Sequence, residues 1–316
     1  MMEKAVYNLV FPSYCEELTI FSYRFYRHKN YANSLQELNQ PIDYSSEFNI
    51  QQNTGTHALT AYVQIAASEE KSMLDWSDSG ATALLDIILL LSLFTGRDVA
   101  VVNKDIKLNE DGILIGDPRS WPYGGILKCS IPYEGKIIDD NAPYEWNIGF
   151  EKGLNKIYNL MQSNEWKNTY KGGYFLFLAR MAFRADMLEI AFAQCWAVWE
   201  HLFSILNSNW MSKEQILRMP AREKISFILV HFGFLDKVEK EQARKIDNEL
   251  VKTRNRLIHF GKFPDGKFTN HAKVFIRLTE SIIAKSLELV PSNVFNTKEN
   301  LDRFFDGTLE YEEFIP

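Results

Sequence analysis

The chain has 316 residues, which is enough for two domains of ordinary size. A hydrophobic fraction of 46% and a charged fraction of 24% exclude a disordered chain and are typical of a folded globular protein. The cysteines Cys15, Cys129 and Cys195 form no CxxC pair, so neither a disulfide framework nor a cysteine-bound metal is expected. No signal peptide is predicted, and the most apolar stretch, 83–94, is shorter than the ~20 residues of a membrane span. A cytoplasmic protein with no membrane partner is therefore predicted.

The charges are distributed unevenly along the chain. Residues 156–290 contain 21 Lys and Arg against 14 Asp and Glu, a balance of +7, and the rest contains 14 against 27, a balance of −13. The two balances add up to the net charge of −6. Such an asymmetry favours a half that faces a polyanion, joined to an acidic half, although solvated helix faces alone can also produce it.

The first 150 residues are predicted to form a β-rich domain. Runs of β-branched and aromatic residues between turn formers predict strands at 17–28, 58–66, 98–108 and 125–133. The alternation in the first run places Phe21 and Tyr23 on the same face. One helix, at 82–94, interrupts the strands and is apolar enough to be buried.

From about residue 144 the apolar residues recur with the period of an α-helix. Helices are predicted around 154–161, in two segments of 174–206 that meet near 184–186, after Pro220, and at 236–260 and 269–289. The stripe of Trp196, Trp199 and Phe203 is predicted to lie in the core. Consecutive helices with short connections make an all-α bundle.

The predicted fold class is therefore α+β, and three parts are expected along the chain. A β-rich N-terminal domain at 1–150, with a sensor or regulatory role, precedes a helical bundle at 151–292. The remaining residues, 293–316, form an acidic C-terminal tail that contains Glu299, Asp302, Asp306, Glu310, Glu312 and Glu313.

The chemically most informative segment is KTRNRLIHFG, residues 252–261, near the end of a predicted helix. By the helical period Asn255 and His259 share a face, whereas Arg254 and His259 lie about 140° apart. One helix therefore does not easily direct both groups at one phosphate. Two copies meeting across a two-fold axis do so if Arg254 of one chain approaches His259 of the other.

These two residue types suit the cleavage of RNA without a metal. A histidine side chain can move protons near neutral pH, and arginine stays charged and binds two phosphate oxygens at once. The 2′-OH of the RNA is the nucleophile, so no activated serine or cysteine is required. In the alternative interpretation Arg254 pairs with a carboxylate such as Asp247, and His259 caps the helix C-terminus.

Residues 254–261, RNRLIHFG, resemble the motif of the HEPN superfamily, whose ribonucleases carry Arg, a polar residue (often Asn), three more residues and His. Residues 193–203, AQCWAVWEHLF, are similar to the family helix that has a Glu before a bulky apolar pair. Within this superfamily the chain resembles the Apea-like HEPN proteins, and residues 91–96, LSLFTG, are similar to a segment of their N-terminal domain. The resemblance covers residues 165–290 and, more loosely, 1–150.

The resemblance implies a homodimeric, metal-independent endoribonuclease without a cofactor, of the kind found in anti-phage abortive infection or toxin systems. It makes His259 the acid/base group, Arg254 the group that binds the phosphate and the transition state, and Asn255 an orienting group. Glu200 and Asp247 are weaker, supporting candidates. The basic residues expected to bind RNA are Lys245, Lys252, Arg256 and Lys262.

The main alternative is a non-catalytic HEPN module that binds a nucleotide, RNA or protein partner. A metal-dependent hydrolase in the N-terminal domain has no motif to support it. A regulatory or phage-derived trigger protein is a possible partner. The acidic tail is hypothesised to cover the basic cleft, so that deletion of 293–316 raises ribonuclease activity.

Overall fold

The computed structural model describes residues 2–11, 15–38, 58–65, 83–95, 98–102, 129–130, 132–133, 136–137, 150–185, 187–235, 240–291 and 297–307. These residues belong to two compact units. The first unit holds the described residues up to 102 and those from 133 to 158, and the second holds 129–130, 132 and the described residues from 159 onward.

The first unit contains an antiparallel sheet of five strands. They are β1 (Met2–Tyr7), β2 (Glu17–Ile20), β3 (Tyr23–Arg27), β4 (Leu59–Ile65) and β5 (Ala100–Val102). Their order across the sheet is β2-β3-β4-β1-β5, and each neighbouring pair is antiparallel. Among the described residues, two helices lie wholly in this unit, α1 (Tyr31–Leu38) and the apolar, mostly buried α2 (Ala83–Thr95). The predicted helix at 82–94 is confirmed, whereas α1 and β1 were not predicted.

The prediction of a single strand at 17–28 is wrong. Residues 17–27 form a hairpin, in which β2 and β3 pair around a turn at Phe21 and Ser22. Phe21 has a positive φ of 54° and is exposed, whereas Tyr23 is buried, so these two residues do not share a face. An aromatic residue in the turn conceals the reversal, because Gly or Asn is the usual signal for positive φ.

The second unit is mainly helical, which confirms the α+β layout. In chain order the helices are α3 (Phe150–Gln162), α4 (Asn164–Tyr170), α5 (Tyr174–Phe183), α6 (Leu188–Asn207), α7 (Lys213–Arg218), α8 (Ala221–His231), α9 (Lys240–Phe260), α10 (Gly266–Ser286) and α11 (Lys298–Phe305). The division between the units falls within α3, after residue 158. Two short two-stranded ladders are also present, formed by β6 (Cys129–Ser130) with β9 (Val290–Pro291) and by β7 (Pro132–Tyr133) with β8 (Lys136–Ile137).

An aromatic cluster between α6 and α10 forms the centre of the helical core. Phe192, Trp196 and Trp199 of α6 pack around the buried ring of Phe275 in α10, with ring centroids 4.6–5.4 Å away. The indole N–H of Trp199 donates to Thr279 Oγ1 at 2.9 Å, which satisfies the one polar atom of that ring. The prediction that Trp196 and Trp199 belong to the core is confirmed.

Part of the predicted acidic tail is a helix that packs on the bundle. Helix α11 is capped by Thr297, whose side chain accepts from the Asn300 N–H. Its residues Leu301, Phe304 and Phe305 are buried. Residues 308–316 lie outside the described part of the chain. In the described residues no helix has the length and apolar character needed to cross a membrane.

Candidate active site

The candidate motif occupies the last two turns of α9. The helix ends at Phe260, and Gly261 follows with a positive φ of 69° while its N–H donates to the Leu257 carbonyl at 2.7 Å. This is the left-handed helix end that glycine adopts without strain. The motif is therefore held on a regular helix with a defined end.

A contact between Thr253, one residue before the motif, and His271 fixes the position of α9 against α10. Thr253 Oγ1 donates to the Glu249 carbonyl at 2.8 Å and lies 3.2 Å from His271 Nδ1. Because the Thr253 hydroxyl already donates its proton to the Glu249 carbonyl, its oxygen can only accept from His271. Nδ1 of His271 therefore carries a proton and donates it to Thr253. Burial among aromatic rings lowers the pKa of His271 to about 4. The ring is therefore neutral at physiological pH.

Arg254 lies against an aromatic ring of the core. Its guanidinium carbon is 5.3 Å from the centroid of Trp196, which is only 7% exposed. Its Nη1 atom is 3.4 Å from Asn255 Oδ1, a long contact. Within the described residues no carboxylate pairs with Arg254. A cation on a ring face keeps its charge available for an anion.

The alternative pairing of Arg254 with Asp247 is not what the structure contains. The two residues are seven positions apart on α9, or about 10.5 Å along the axis, which exceeds the reach of side chains three or four positions apart. The carboxylate of Asp247 instead accepts from the hydroxyl of Ser226 in α8. Arg254 and Asp247 therefore do not form the ion pair of the alternative interpretation.

His259 and Asn255 are both exposed on α9, one turn apart. In the described part of the chain no hydrogen bond or ion pair holds the His259 ring. Arg254 is directed at Trp196 while His259 faces solvent, in agreement with the angle of about 140° that the helical period places between them. Within one chain the motif therefore does not converge on a single point.

The two supporting candidates serve α8 rather than the motif. Glu200 of α6 forms an ion pair with Lys224, and Asp247 pairs with Ser226. Asp247 is fully buried, and its Oδ1 atom has no hydrogen-bond partner among the described residues. This desolvation raises the pKa of Asp247 to about 6, although the Ser226 hydroxyl opposes the change.

This buried carboxyl group predicts a dependence of stability on pH. Between pH 4 and pH 6 the unfolded chain ionises Asp247 while the folded protein keeps it neutral, so stability falls as pH rises through this window. The difference between 3.8 and about 6 corresponds to roughly 3 kcal/mol. The neutral variant Asp247→Asn should therefore gain up to ~3 kcal/mol relative to the wild type between pH 4 and pH 7.

Urea unfolding of both proteins at several pH values measures this difference. The titration of His271 is common to the two proteins and cancels when they are subtracted. A difference between variant and wild type that is constant from pH 4 to pH 7 would contradict the assignment of a neutral buried Asp247.

The predicted RNA-binding cations differ in their surroundings. Lys245 pairs with Asp306, and Lys252 pairs with Glu249 at 2.7 Å. Arg256 has no carboxylate partner in the described residues, and Lys262 is exposed and equally unpaired there. The cations available to a polyanion in this region thus lie immediately around His259.

Sequence reasoning missed the aromatic side chains beside the motif. The guanidinium carbon of Arg256 is 5.5 Å from the ring centroid of Phe260 and 5.9 Å from that of Phe268. Phe260 is 57% exposed. Trp196 was assigned to the core but not to Arg254. The alternation of basic and aromatic residues from Arg254 to Phe268 is the sequence signal that could have identified Phe260 and Phe268.

The described residues contain no group of three or more His, Cys, Asp or Glu side chains placed to hold a metal ion. Comparisons of this chain with protein-family models, with curated proteins and with solved structures found no match.

Proposed function

We propose that this protein is a metal-independent endoribonuclease of the HEPN type, with Arg254, Asn255 and His259 as its site. The observation that supports the proposal is the state of Arg254. Its guanidinium rests on Trp196, has no carboxylate partner among the described residues, and lies on the helix end that exposes Asn255 and His259. A residue with a structural role only would be expected to have an anionic partner.

The reaction follows from the residue types. The 2′-oxygen of a ribose attacks the adjacent phosphorus and the bond to the 5′-oxygen breaks, which leaves a 2′,3′-cyclic phosphate and a free 5′-hydroxyl. The 2′-hydroxyl loses a proton and the departing 5′-oxygen gains one; His259 makes one of these two transfers and water makes the other. Arg254 binds two phosphate oxygens and stabilises the dianionic transition state. Asn255 orients Arg254 through their contact.

The site is proposed to be completed by a second copy of the chain. Arg254 and His259 of one α9 point in different directions, so a single helix presents only one of them to a given phosphate. Two α9 helices related by a two-fold axis place Arg254 of one copy beside His259 of the other. A role in anti-phage defence or as a toxin, a regulatory or phage-derived trigger protein and a cytoplasmic location are part of the same proposal by family analogy.

Trp196 is proposed to position Arg254. Replacement by leucine preserves most of the buried apolar volume but removes the ring face, which is worth about 0.5–2 kcal/mol to a cation. Trp196→Leu should lower cleavage roughly 2- to 30-fold through kcat, whereas Trp196→Phe should retain most of the activity. Single-turnover cleavage rates with saturating RNA, with melting curves beside them, test this.

Equal rates for the leucine variant and the wild type would exclude a positioning role. A loss of activity that tracks a loss of folded protein in both variants would assign Trp196 to the core alone.

The proposed activity is tested by incubating the wild-type protein with a mixed RNA pool in EDTA and determining the ends of the products. Cleavage with 2′,3′-cyclic phosphate ends supports the proposal. Tight RNA binding without cleavage would favour the non-catalytic module. Cleavage that requires a divalent metal would contradict the mechanism.

A further inference from the structure

A cationic and aromatic surface lies directly beside His259. The Arg256 guanidinium lies over the rings of Phe260 and Phe268, and these three side chains are called the Arg256–Phe260–Phe268 cluster. Phe260 follows His259 in the chain, so their Cα atoms are about 3.8 Å apart. The ring of Phe260 is 57% exposed at a helix end, where a polar residue would be expected.

The start of α10 holds Phe268 in place. Asp265 caps this helix, and its side chain accepts from the Phe268 N–H at 3.1 Å. Phe268 is half-buried, and its ring also contacts that of His271, which is itself buried. The cluster therefore joins the end of α9 to a capped helix, and the ring of Phe268 is held in place before a ligand arrives.

The charges around the cluster fit an anionic ligand. Arg256 and Lys262 are unpaired among the described residues, and the carboxylate of Glu249 is already shared by Lys252 and Lys267, at 2.7 Å and 3.0 Å. An exposed ring flanked by unpaired cations is the combination that proteins use to stack a base and hold its phosphate.

We propose that the Arg256–Phe260–Phe268 cluster binds an unpaired nucleobase of an RNA strand, next to the phosphate at His259. This inference rests on the proposed ribonuclease function and adds its substrate class, which is RNA with unpaired nucleotides. A base in a duplex is stacked on both faces and has no face for the ring of Phe260. Stacking on a phenyl ring is tolerant of sequence, so the site selects strandedness rather than a particular base.

The test is RNA binding by full-length wild-type protein and by Phe260→Ala, Phe260→Trp and Trp210→Ala. Trp210 is the matched control, since it is an exposed aromatic residue (69%) in the connection after α6. The probes are a fluorescein-labelled mixed-sequence single strand and the corresponding duplex. Both carry 2′-O-methyl riboses, which have no free 2′-OH to attack the phosphorus, so they are not cleaved. Dissociation constants are measured by fluorescence anisotropy, and unmodified RNA is used in parallel for cleavage.

Phe260→Ala is expected to weaken binding of the single strand roughly 5- to 150-fold, while duplex binding and the Trp210→Ala variant stay unchanged. Phe260→Trp is expected to bind as well as the wild type or better. A wild type that binds the single strand no better than the duplex overturns the inference, as does an equal effect of Phe260→Ala on both. A change of oligomeric state in Phe260→Ala, seen by light scattering, would assign the ring to a protein contact instead.

The inference and the proposed function fail separately. If the wild type does not cleave unmodified RNA and Phe260→Ala loses single-strand binding, the base-binding site is supported and the ribonuclease function is contradicted. If the wild type cleaves RNA and Phe260→Ala changes neither the rate nor the preference for unpaired RNA, the ribonuclease function is supported and the base-binding site is contradicted.

Discussion

Replacing His259 with alanine is expected to lower the rate of RNA cleavage by about 100- to 10,000-fold, the usual contribution of a general acid or base. The side chain is exposed and has no partner in the described residues, so its loss should leave the melting temperature unchanged. Arg254→Ala should reduce the rate to a similar extent, about 100- to 1,000-fold, because it removes the charge that stabilises the transition state. Arg254→Lys should rescue little, since a lysine does not bind two phosphate oxygens in the arginine geometry.

Initial rates in EDTA, with circular dichroism melting curves for each variant, measure both effects. His231→Ala is the matched control, because His231 is another histidine of the same unit, on α8, and it stacks on Phe227 rather than on the motif. Cleavage that survives both Arg254→Ala and His259→Ala in folded protein would mean that the site lies elsewhere.

Deletion of residues 293–316 is expected to destabilise the helical unit strongly. This deletion removes α11, whose residues Leu301, Phe304 and Phe305 are buried, and each such side chain contributes about 1.5–3 kcal/mol. It also uncovers His271, which packs against the rings of Phe304 and Phe305. We expect a loss of several kcal/mol, and a loss of ~2–5 kcal/mol for Leu301→Ala alone.

The hypothesis that the acidic tail restrains activity therefore needs a shorter deletion. Removal of 308–316 takes away Glu310, Glu312 and Glu313 and keeps α11. This protein should cleave RNA faster than the wild type. An unchanged or lower rate would exclude restraint by this segment, and an unchanged melting temperature after deletion of 293–316 would contradict the packing of α11.

The helical unit could largely be predicted from the sequence because its elements are long and periodic. The helices after Pro220 and at 269–289, for example, correspond to α8 and α10. Short elements were missed: α7 has six residues, although its capping box of Ser212 and Gln215 is a recognisable sequence signal. The hairpin of β2 and β3 was missed because its turn contains Phe21 in place of a turn former.

The candidate site was predictable in its residue types but not in its surroundings. Arg254, Asn255 and His259 could be named from spacing alone. The contact of Arg254 with Trp196 and the hydrogen bond from Ser226 to Asp247 depend on the orientation of α9 relative to α6 and α8. No local sequence pattern specifies that orientation. The same rotation places Phe260 and Phe268 beside Arg256.

The most direct test of a site shared by two chains is to mix the inactive variants Arg254→Ala and His259→Ala. If Arg254 of one copy acts with His259 of the other, a mixed dimer has one site that lacks both groups and one intact site. Since half of the dimers are mixed and half of their sites are intact, roughly a quarter of the wild-type activity should return after subunit exchange. Mixtures that stay as inactive as the separate variants, despite demonstrated exchange, would contradict the shared site.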